Sequence, residues 1–190
     1  MIAHPADFLP APERSALLVI DVQERLAAAM PPEECAQVIR NTLILVEAAK
    51  EFGLPLAASE QYPKGLGPTV AEIRAALPAE AAPRPKLAFS CCGEAVFNDL
   101  WQAWTGRDVL IAGIEAHVCV LQTALDLLAQ GRRVYLAADA VCSRARHNKQ
   151  LALDLLRQAG VVIGSTEMFV FAMQRAAGSE RFKRISKLVK

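Results

Sequence analysis

Short apolar runs alternate with longer helical patterns along the whole chain, and this alternation limits the possible folds more than any other feature. The runs with strand character are 15–22, 54–59, 86–90, 108–114, 133–139 and 161–165. Helical spacing of apolar residues covers 33–52, 70–77, 94–104, 118–130, 147–159 and 166–176. Strands that alternate with such helices pair in parallel through right-handed crossovers. The sequence therefore predicts an α/β fold, a doubly wound sheet of about six parallel strands.

Length and composition favour one folded domain. Of the 190 residues, 53% are hydrophobic, and the net charge is +1. We expect 1–190 to form a single domain with an N-terminal arm (1–12) and a basic tail (178–190).

The near-neutral net charge gives no overall electrostatic field that would attract nucleic acid or an anionic membrane. The chain starts without a signal-peptide pattern, and its apolar runs are too short to span a bilayer. We expect a cytoplasmic protein with a small-molecule partner.

Asp21 and Cys119 follow two strands that can lie side by side. Ligands of open α/β sheets bind beyond the carboxyl ends of strands, where the strand order reverses. Asp21 ends the first predicted strand and Cys119 follows the fourth. In the common order 3-2-1-4-5-6 these strands are neighbours, so both residues would face one crevice. A carboxylate here can also simply cap the next helix, but the apolar strand before it favours a functional role.

Cys119 is the cysteine best placed to react. The five cysteines are an odd number in a chain without an export signal, which indicates reduced thiols. Cys119 lies in the first turn of a predicted helix, where free N–H groups and the helix dipole lower the pKa of a thiol. The alternative role of Cys119 is to pack in the core as a small apolar residue. We assign that packing role to Cys35, Cys91, Cys92 and Cys142.

A thiol nucleophile needs a proton acceptor and a charge beside it. His117 is only two residues from Cys119, which is poor geometry for taking its proton, and the other two histidines lie in the N-terminal arm and at a predicted helix start. Asp21 is therefore the better base. Lys86 enters an apolar run after a Pro-rich connector. It is either a solubilising residue at a strand edge or an inward charge that faces a carboxylate.

Four further residues are candidate substrate contacts. Gln23 either orients the catalytic base or makes ordinary loop hydrogen bonds. Glu60 and Tyr62 end the second strand at the same sheet edge as the base, so they could line the crevice; the alternative is loop packing. Phe89 could form an apolar wall beside the lysine, and core packing explains it equally well.

Three separated stretches carry a family resemblance: "LLVIDVQERL", "PKLAFS" and "AGIEAHVCVLQTALDLL". Together they resemble the isochorismatase-like cysteine hydrolase superfamily. With "SEQYPKGLGPTV", they are most similar to its isochorismatase domain-containing branch. The resemblance implies a three-layer α/β/α domain with strand order 3-2-1-4-5-6. It implies a catalytic triad in which Asp21 takes the thiol proton, Lys86 tunes both groups electrostatically, and Cys119 forms a covalent intermediate that water resolves.

The same resemblance implies two further features. A cis peptide bond a few residues before the cysteine maps to Ile114–Glu115, and it would turn the Glu115 N–H toward the oxyanion beside that of Cys119. Members of the family also form dimers or larger assemblies, so we expect a homo-oligomer.

Two departures from the family pattern concern the substrate. Nicotinamidases of the superfamily hold a metal through an Asp-x-His pair and a further His, but "SEQYPKGLGPTV" contains no histidine. We therefore expect no metal and no cofactor. Isochorismatases proper commonly have Gly where this chain has Cys119. A thiol suits C–N hydrolysis, so we expect a metal-independent cysteine hydrolase acting on a small amide-like substrate. The alternative is a catalytically vestigial binding or scaffold protein that keeps the fold.

Overall fold

A parallel sheet forms the centre of the molecule. The computed structural model describes residues 4–190, and within them six strands form one sheet in the order β3-β2-β1-β4-β5-β6. The strands are β1 (Ser15–Ile20), β2 (Leu56–Gln61), β3 (Arg84–Lys86), β4 (Asp108–Ile114), β5 (Val134–Cys142) and β6 (Val162–Gly164). The predicted strand order is confirmed, and β1 and β4 are neighbours, with Ile20 aligned with Gly113.

Helices cover both faces of the sheet. They are α1 (Glu24–Ala28), α2 (Pro32–Phe52), α3 (Pro63–Leu66), α4 (Ala71–Ala76), α5 (Asn98–Ala103), α6 (Leu121–Ala129), α7 (Arg146–Ala159), α8 (Thr166–Gln174) and α9 (Glu180–Leu188). A π-helical turn, Ala116–Val120, leads directly into α6. Parallel sheets need cover on both faces because their strands are apolar on both sides. The predicted α/β/α layering is therefore confirmed.

The central strand shows how the two apolar layers arise. Every residue of β1 is buried. Leu17 and Val19 pack in the layer that holds α2 and α8, whereas Leu18 and Ile20 pack in the layer that holds α5, α6 and α7. Successive side chains of a strand point to opposite faces, so one apolar run supplies both layers.

A glycine lets β1 and β4 approach each other closely at their carboxyl ends. Gly113 has φ +138°, and a Cβ there would lie 2.0 Å from the carbonyl oxygen of Ile20. Only glycine tolerates both this backbone conformation and this contact. The close approach holds the end of β1 against the end of β4, where the two candidate catalytic segments begin.

Some predicted boundaries differ from the structure. The third strand, predicted at 86–90, is wrong: β3 ends at Lys86, and residues 87–90 form bends. Its neighbour β2 ends at Gln61, which is aligned with Lys86, so nothing remains for residues 87–90 to pair with. The helix predicted at 94–104 is α5 with a 3-10 turn ahead of it, and the loop 62–69 contains the single turn α3.

Both chain ends contact the domain. Residues 1–3 of the expected arm (1–12) lie outside the described residues. The backbone carbonyl of Asp7 accepts a hydrogen bond from the Tyr135 hydroxyl, and the Asp7 carboxylate pairs with Arg133 at 2.7 Å. The expected basic tail (178–190) contains α9, which buries Ile185. In the part of the chain that the structure describes, every helix is too short or too polar to cross a membrane.

Candidate active site

Asp21 and Lys86 form a buried ion pair at the carboxyl edge of the sheet. Asp21 follows β1 with φ 51°. Its Oδ2 lies 2.7 Å from Lys86 Nζ, and both side chains are 0% exposed. The Ser59 hydroxyl donates a hydrogen bond to Asp21 Oδ1 at 2.7 Å. Although β3 is not a neighbour of β1, the long lysine side chain reaches across the end of β2. Lys86 is thus an inward charge with a carboxylate partner, and not a solubilising residue at a strand edge.

Lys86 is held by more acceptors than it has protons. Besides the carboxylate, its Nζ donates to Gln61 Oε1 at 2.7 Å, to Phe89 O at 2.9 Å and to Ala88 O at 3.3 Å. An ammonium has three protons. Burial alone would lower the pKa of Lys86, but the Asp21 carboxylate and nearby thiols raise it above its ordinary value. Lys86 is therefore a fixed positive charge.

Cys119 lies in the π-helical turn ahead of α6, and 5% of it is exposed. Its Sγ is 3.9 Å from Gln61 Oε1. Burial, followed by the Asp21 carboxylate, raises the pKa of Cys119 to about 12, and Lys86 opposes this increase. The sequence-based expectation of a lowered pKa is wrong because burial and the carboxylate outweigh the helix dipole and the ammonium. The resting thiol is protonated and needs a base.

Asp21 Oδ2 is the oxygen available to act as that base. Within residues 4–190, no well-aligned hydrogen bond reaches this buried atom, although Lys86 Nζ is near it. The other oxygen of the carboxylate is occupied by Ser59. The Asp21 carboxylate and the Cys119 thiol also interact strongly enough for the carboxylate to raise the pKa of the thiol. Oδ1 is thus held by Ser59, while Oδ2 lies against the Lys86 ammonium.

The peptide bond between Ile114 and Glu115 is cis, at the position that the resemblance implies. Glu115 begins the turn that carries Cys119. Its carboxylate accepts hydrogen bonds from the backbone N–H and the Nε of Arg144, at 2.9 and 3.0 Å. The side chain of Glu115 is therefore occupied by the segment after β5, so only its backbone can serve the site.

Gln23 is not brought to the site as a substrate contact. Its fully buried amide donates to the carbonyl oxygens of Gln61 and Gly67, at 3.0 and 2.6 Å, and accepts from the Gln61 N–H at 2.7 Å. The alternative interpretation, loop hydrogen bonding, describes this residue. Gln23 fixes the end of β2 against the following loop because both of its amide protons and its oxygen are bound there.

Glu60 also points away from the catalytic residues. Its Oε1 accepts from the N–H and the hydroxyl of Thr69, at 2.6 and 2.8 Å. The reason is the two-residue repeat of a strand: Ser59 and Gln61 face the ion pair, so the residue between them faces the opposite side. The predicted substrate-contact role of Glu60 is therefore wrong.

Tyr62 and Phe89 lie close to Lys86. Tyr62 is half exposed and lines an apolar cleft of about 330 Å³ with Pro85, Leu87 and Glu94. The ring of Phe89 is half exposed as well. It is the carbonyl of Phe89, and not the ring, that contacts the ammonium of Lys86.

Sequence reasoning missed three residues of the site: Ser59, Gln61 and Cys91. The alternation of side chains along β2 puts the first two on one face of the strand, but it does not say which face holds the nucleophile. Cys91 was assigned to packing, and it is fully buried, with its N–H donating to the Thr123 hydroxyl at 3.1 Å. It also lies near the ion pair: burial, followed by the Asp21 carboxylate, raises its pKa to about 12.

The donor set does not suit a metal ion. Among residues 4–190, no group of three or more His, Cys, Asp or Glu side chains is arranged to hold one. The end of β2 presents a serine and an amide toward the site.

Comparison with known proteins agrees with this architecture. The isochorismatase domain matches residues 15–168. Isochorismatase domain-containing protein 2 of Danio rerio is 37% identical over 175 residues, which cover 92% of this chain and 86% of that protein.

Two solved structures have the same fold as this chain. The structure described as MAR1 ribonuclease from Caenorhabditis elegans matches with a TM-score of 0.88 and 34% identity, over 95% of this chain and 92% of that chain. The YcaC gene product of Escherichia coli, described as an octameric hydrolase of unknown specificity, matches with a TM-score of 0.80 and 24% identity, over 87% and 82% of the two chains. The chain belongs to the isochorismatase domain family of hydrolases, whose fold it shares.

Proposed function

We propose that this protein is a metal-independent cysteine hydrolase that cleaves the C–N bond of a small amide-like substrate. The observation that carries the proposal is the buried 2.7 Å ion pair between Lys86 and Asp21, placed next to a protonated thiol. A nucleophilic thiol with a high pKa requires an adjacent base. Asp21 supplies the base, and the charge of Lys86 beside it stabilises the developing thiolate.

The proposed reaction has two steps. As Sγ of Cys119 attacks the amide carbon, its proton passes to Asp21 Oδ2, and the backbone N–H groups of Glu115 and Cys119 stabilise the oxyanion. The C–N bond breaks, and the amine leaves with the proton from Asp21. Water then attacks the thioester while Asp21 takes its proton, releasing the carboxylic acid and restoring the thiol. Each oxyanion donor contributes about 2.7–4 kcal/mol to such reactions.

A small substrate suits this site better than a nucleic acid. The nematode relative carries the name ribonuclease. A polyanionic strand is usually bound through many lysines and arginines, whereas this chain has a net charge of +1 and its thiol is 5% exposed. We therefore keep a small molecule as the partner in this proposal.

The alternative is a vestigial binding or scaffold protein. Burying two charges costs several kcal/mol per ion before their attraction is counted. A protein kept only for binding has no need for a buried carboxylate and ammonium beside a thiol, so the complete set of groups favours the enzyme.

We also propose a homo-oligomer in a reducing compartment such as the cytoplasm. Exposed large apolar side chains near the site, which would be covered in an assembly, include Leu87, Phe89, Leu151 and Leu155. A protein with this fold, the YcaC product, is described as an octamer. All five cysteines are free, as expected where thiols stay reduced.

A screen of small primary amides and ureides for ammonia release tests the function. We expect turnover of at least one compound, with loss of about 10³-fold or more in Cys119→Ala, and an acyl adduct on Cys119 in rapidly quenched samples. Cys142→Ala, a buried thiol outside the site, is the control and should retain turnover. Turnover that survives Cys119→Ala, or no turnover across the panel, would favour the binding-protein alternative.

A further inference from the structure

The segment 87–94 closes on itself beside the ion pair. Glu94 Oε1 accepts hydrogen bonds from the N–H groups of both Leu87 and Ala88, each at 2.6 Å. These bonds fold residues 87–94 into a ring directly after β3. The carboxylate is partly exposed, and the two backbone hydrogen bonds lower the pKa of Glu94 below its ordinary value. Glu94 is therefore ionised at neutral pH and holds the ring as an acceptor.

The same ring directs three successive carbonyl groups inward. The carbonyl of Leu87 accepts from Gln61 Nε2 at 2.8 Å, and those of Ala88 and Phe89 accept from Lys86 Nζ at 3.3 and 2.9 Å. Because Gln61 Nε2 is bound to a carbonyl, its Oε1 must face Lys86 Nζ, which is 2.7 Å away, and Cys119 Sγ. The ring thus fixes both the ammonium and the amide next to the thiol.

We propose that Glu94 is a positioning residue for the catalytic lysine, acting through the carbonyl ring 87–89. This inference rests on the proposed function, since it assigns a role within that site. Glu94 does not touch the reacting atoms. It orders the N–H groups of two residues so that the carbonyl groups of the ring keep the charge of Lys86 beside Cys119. Without this acceptor the ring loosens, and the ammonium moves away from the thiol.

The test is the pH dependence of Cys119 alkylation by iodoacetamide, followed by peptide mass spectrometry. It is done in an Asp21→Asn background, where the thiol has lost the carboxylate that, after burial, is the next largest cause of its raised pKa. In that background the ring and Gln61 are the groups that keep Lys86 in place. Looser packing would reduce the burial that raises the pKa of the thiol and so lower the midpoint, whereas movement of the ammonium away from the thiol raises the midpoint.

We expect Glu94→Ala to raise the midpoint by up to about one pH unit, because an opposite charge within 4–6 Å changes a pKa by about 1–3 units. Glu94→Gln keeps an acceptor oxygen and should restore the midpoint. Glu72→Ala, on the exposed face of α4, is the control and should change nothing. An unchanged midpoint in Glu94→Ala overturns the inference, and so does an equal increase in both Glu94 variants. If Asp21→Asn alone fails to lower the midpoint relative to wild type, it is the proposed function that fails.

Discussion

Asp21 is the residue on which the chemistry of the site depends, and its two oxygens have different surroundings. Oδ1 is held by Ser59, and Oδ2 faces Lys86. The sequence placed Asp21 and Cys119 at one crevice because the ends of neighbouring strands must meet. It could not give the protonation state of the thiol, because the pKa of Cys119 depends on how deeply the folded chain buries it.

Ser59 should matter for stability as well as for chemistry. In Ser59→Ala, the buried Asp21 Oδ1 loses its hydrogen bond, and an unsatisfied buried acceptor costs about 1–3 kcal/mol. We expect urea unfolding to show a decrease of that size in the free energy of unfolding. Ser186→Ala, which removes a hydroxyl bonded to a carbonyl on the exposed surface of α9, is the control. Equal stabilities of the two variants would mean that Ser59 does not support the carboxylate.

Among the elements, the strands were the most predictable part of the molecule. Continuous apolar runs indicated a parallel sheet, because such a sheet requires cover on both faces, whereas its strand order was implied by the family resemblance. The side toward which a strand-end residue points was harder to predict. At the end of β2, the two-residue repeat directs Gln61 to the site and Glu60 away from it, and choosing the correct parity requires knowing which face holds the nucleophile. The reach of Lys86 likewise depends on the register of β3 against β2, which the sequence does not specify.

The contact between β1 and β4 gives a prediction at the level of elements. In Gly113→Ala, the new Cβ would meet the Ile20 carbonyl oxygen at 2.0 Å in a backbone conformation that alanine rarely adopts. We expect a loss of roughly 4 kcal/mol or more in the free energy of unfolding, as in other severely strained substitutions.

Gly131→Ala is the matched control, measured by the same urea titration. This glycine also has a positive φ, +76°, but no atom lies within 4 Å of the place that its new Cβ would occupy. Its substitution should cost about 1 kcal/mol. Similar losses at the two positions would contradict the close approach of β1 and β4.

For the whole molecule, buried thiols link stability to alkaline pH. Burial, as the largest cause, raises the pKa of Cys91, Cys119 and Cys142 from 9.0 to about 12. Above pH 9 these thiols therefore lose their protons in the unfolded chain but keep them in the folded chain. The free energy of unfolding that they contribute below pH 9 is lost as the pH rises toward 12. Lys86, whose pKa is raised above 10.5, adds to the loss at the upper end of this range.

We expect the free energy of unfolding, measured with urea under reducing conditions, to fall between pH 8 and pH 10. Each buried thiol should contribute about 1 kcal/mol at pH 10. Cys142→Ala removes one buried thiol that lies outside the site, so the decline with pH should be smaller in this variant by about 1 kcal/mol at pH 10. A decline of the same steepness in Cys142→Ala and in wild type would show that these thiols do not carry the pH dependence.

The most direct test of chemical coupling between Asp21 and Cys119 is the rate of Cys119 alkylation against pH in wild type and in Asp21→Asn. We expect slow alkylation of wild-type Cys119 at neutral pH. We expect a lower midpoint in Asp21→Asn, because the carboxylate that raises the pKa of the thiol is gone while Lys86 remains. The same midpoint in both proteins would contradict the coupling and, with it, the proposed catalytic triad.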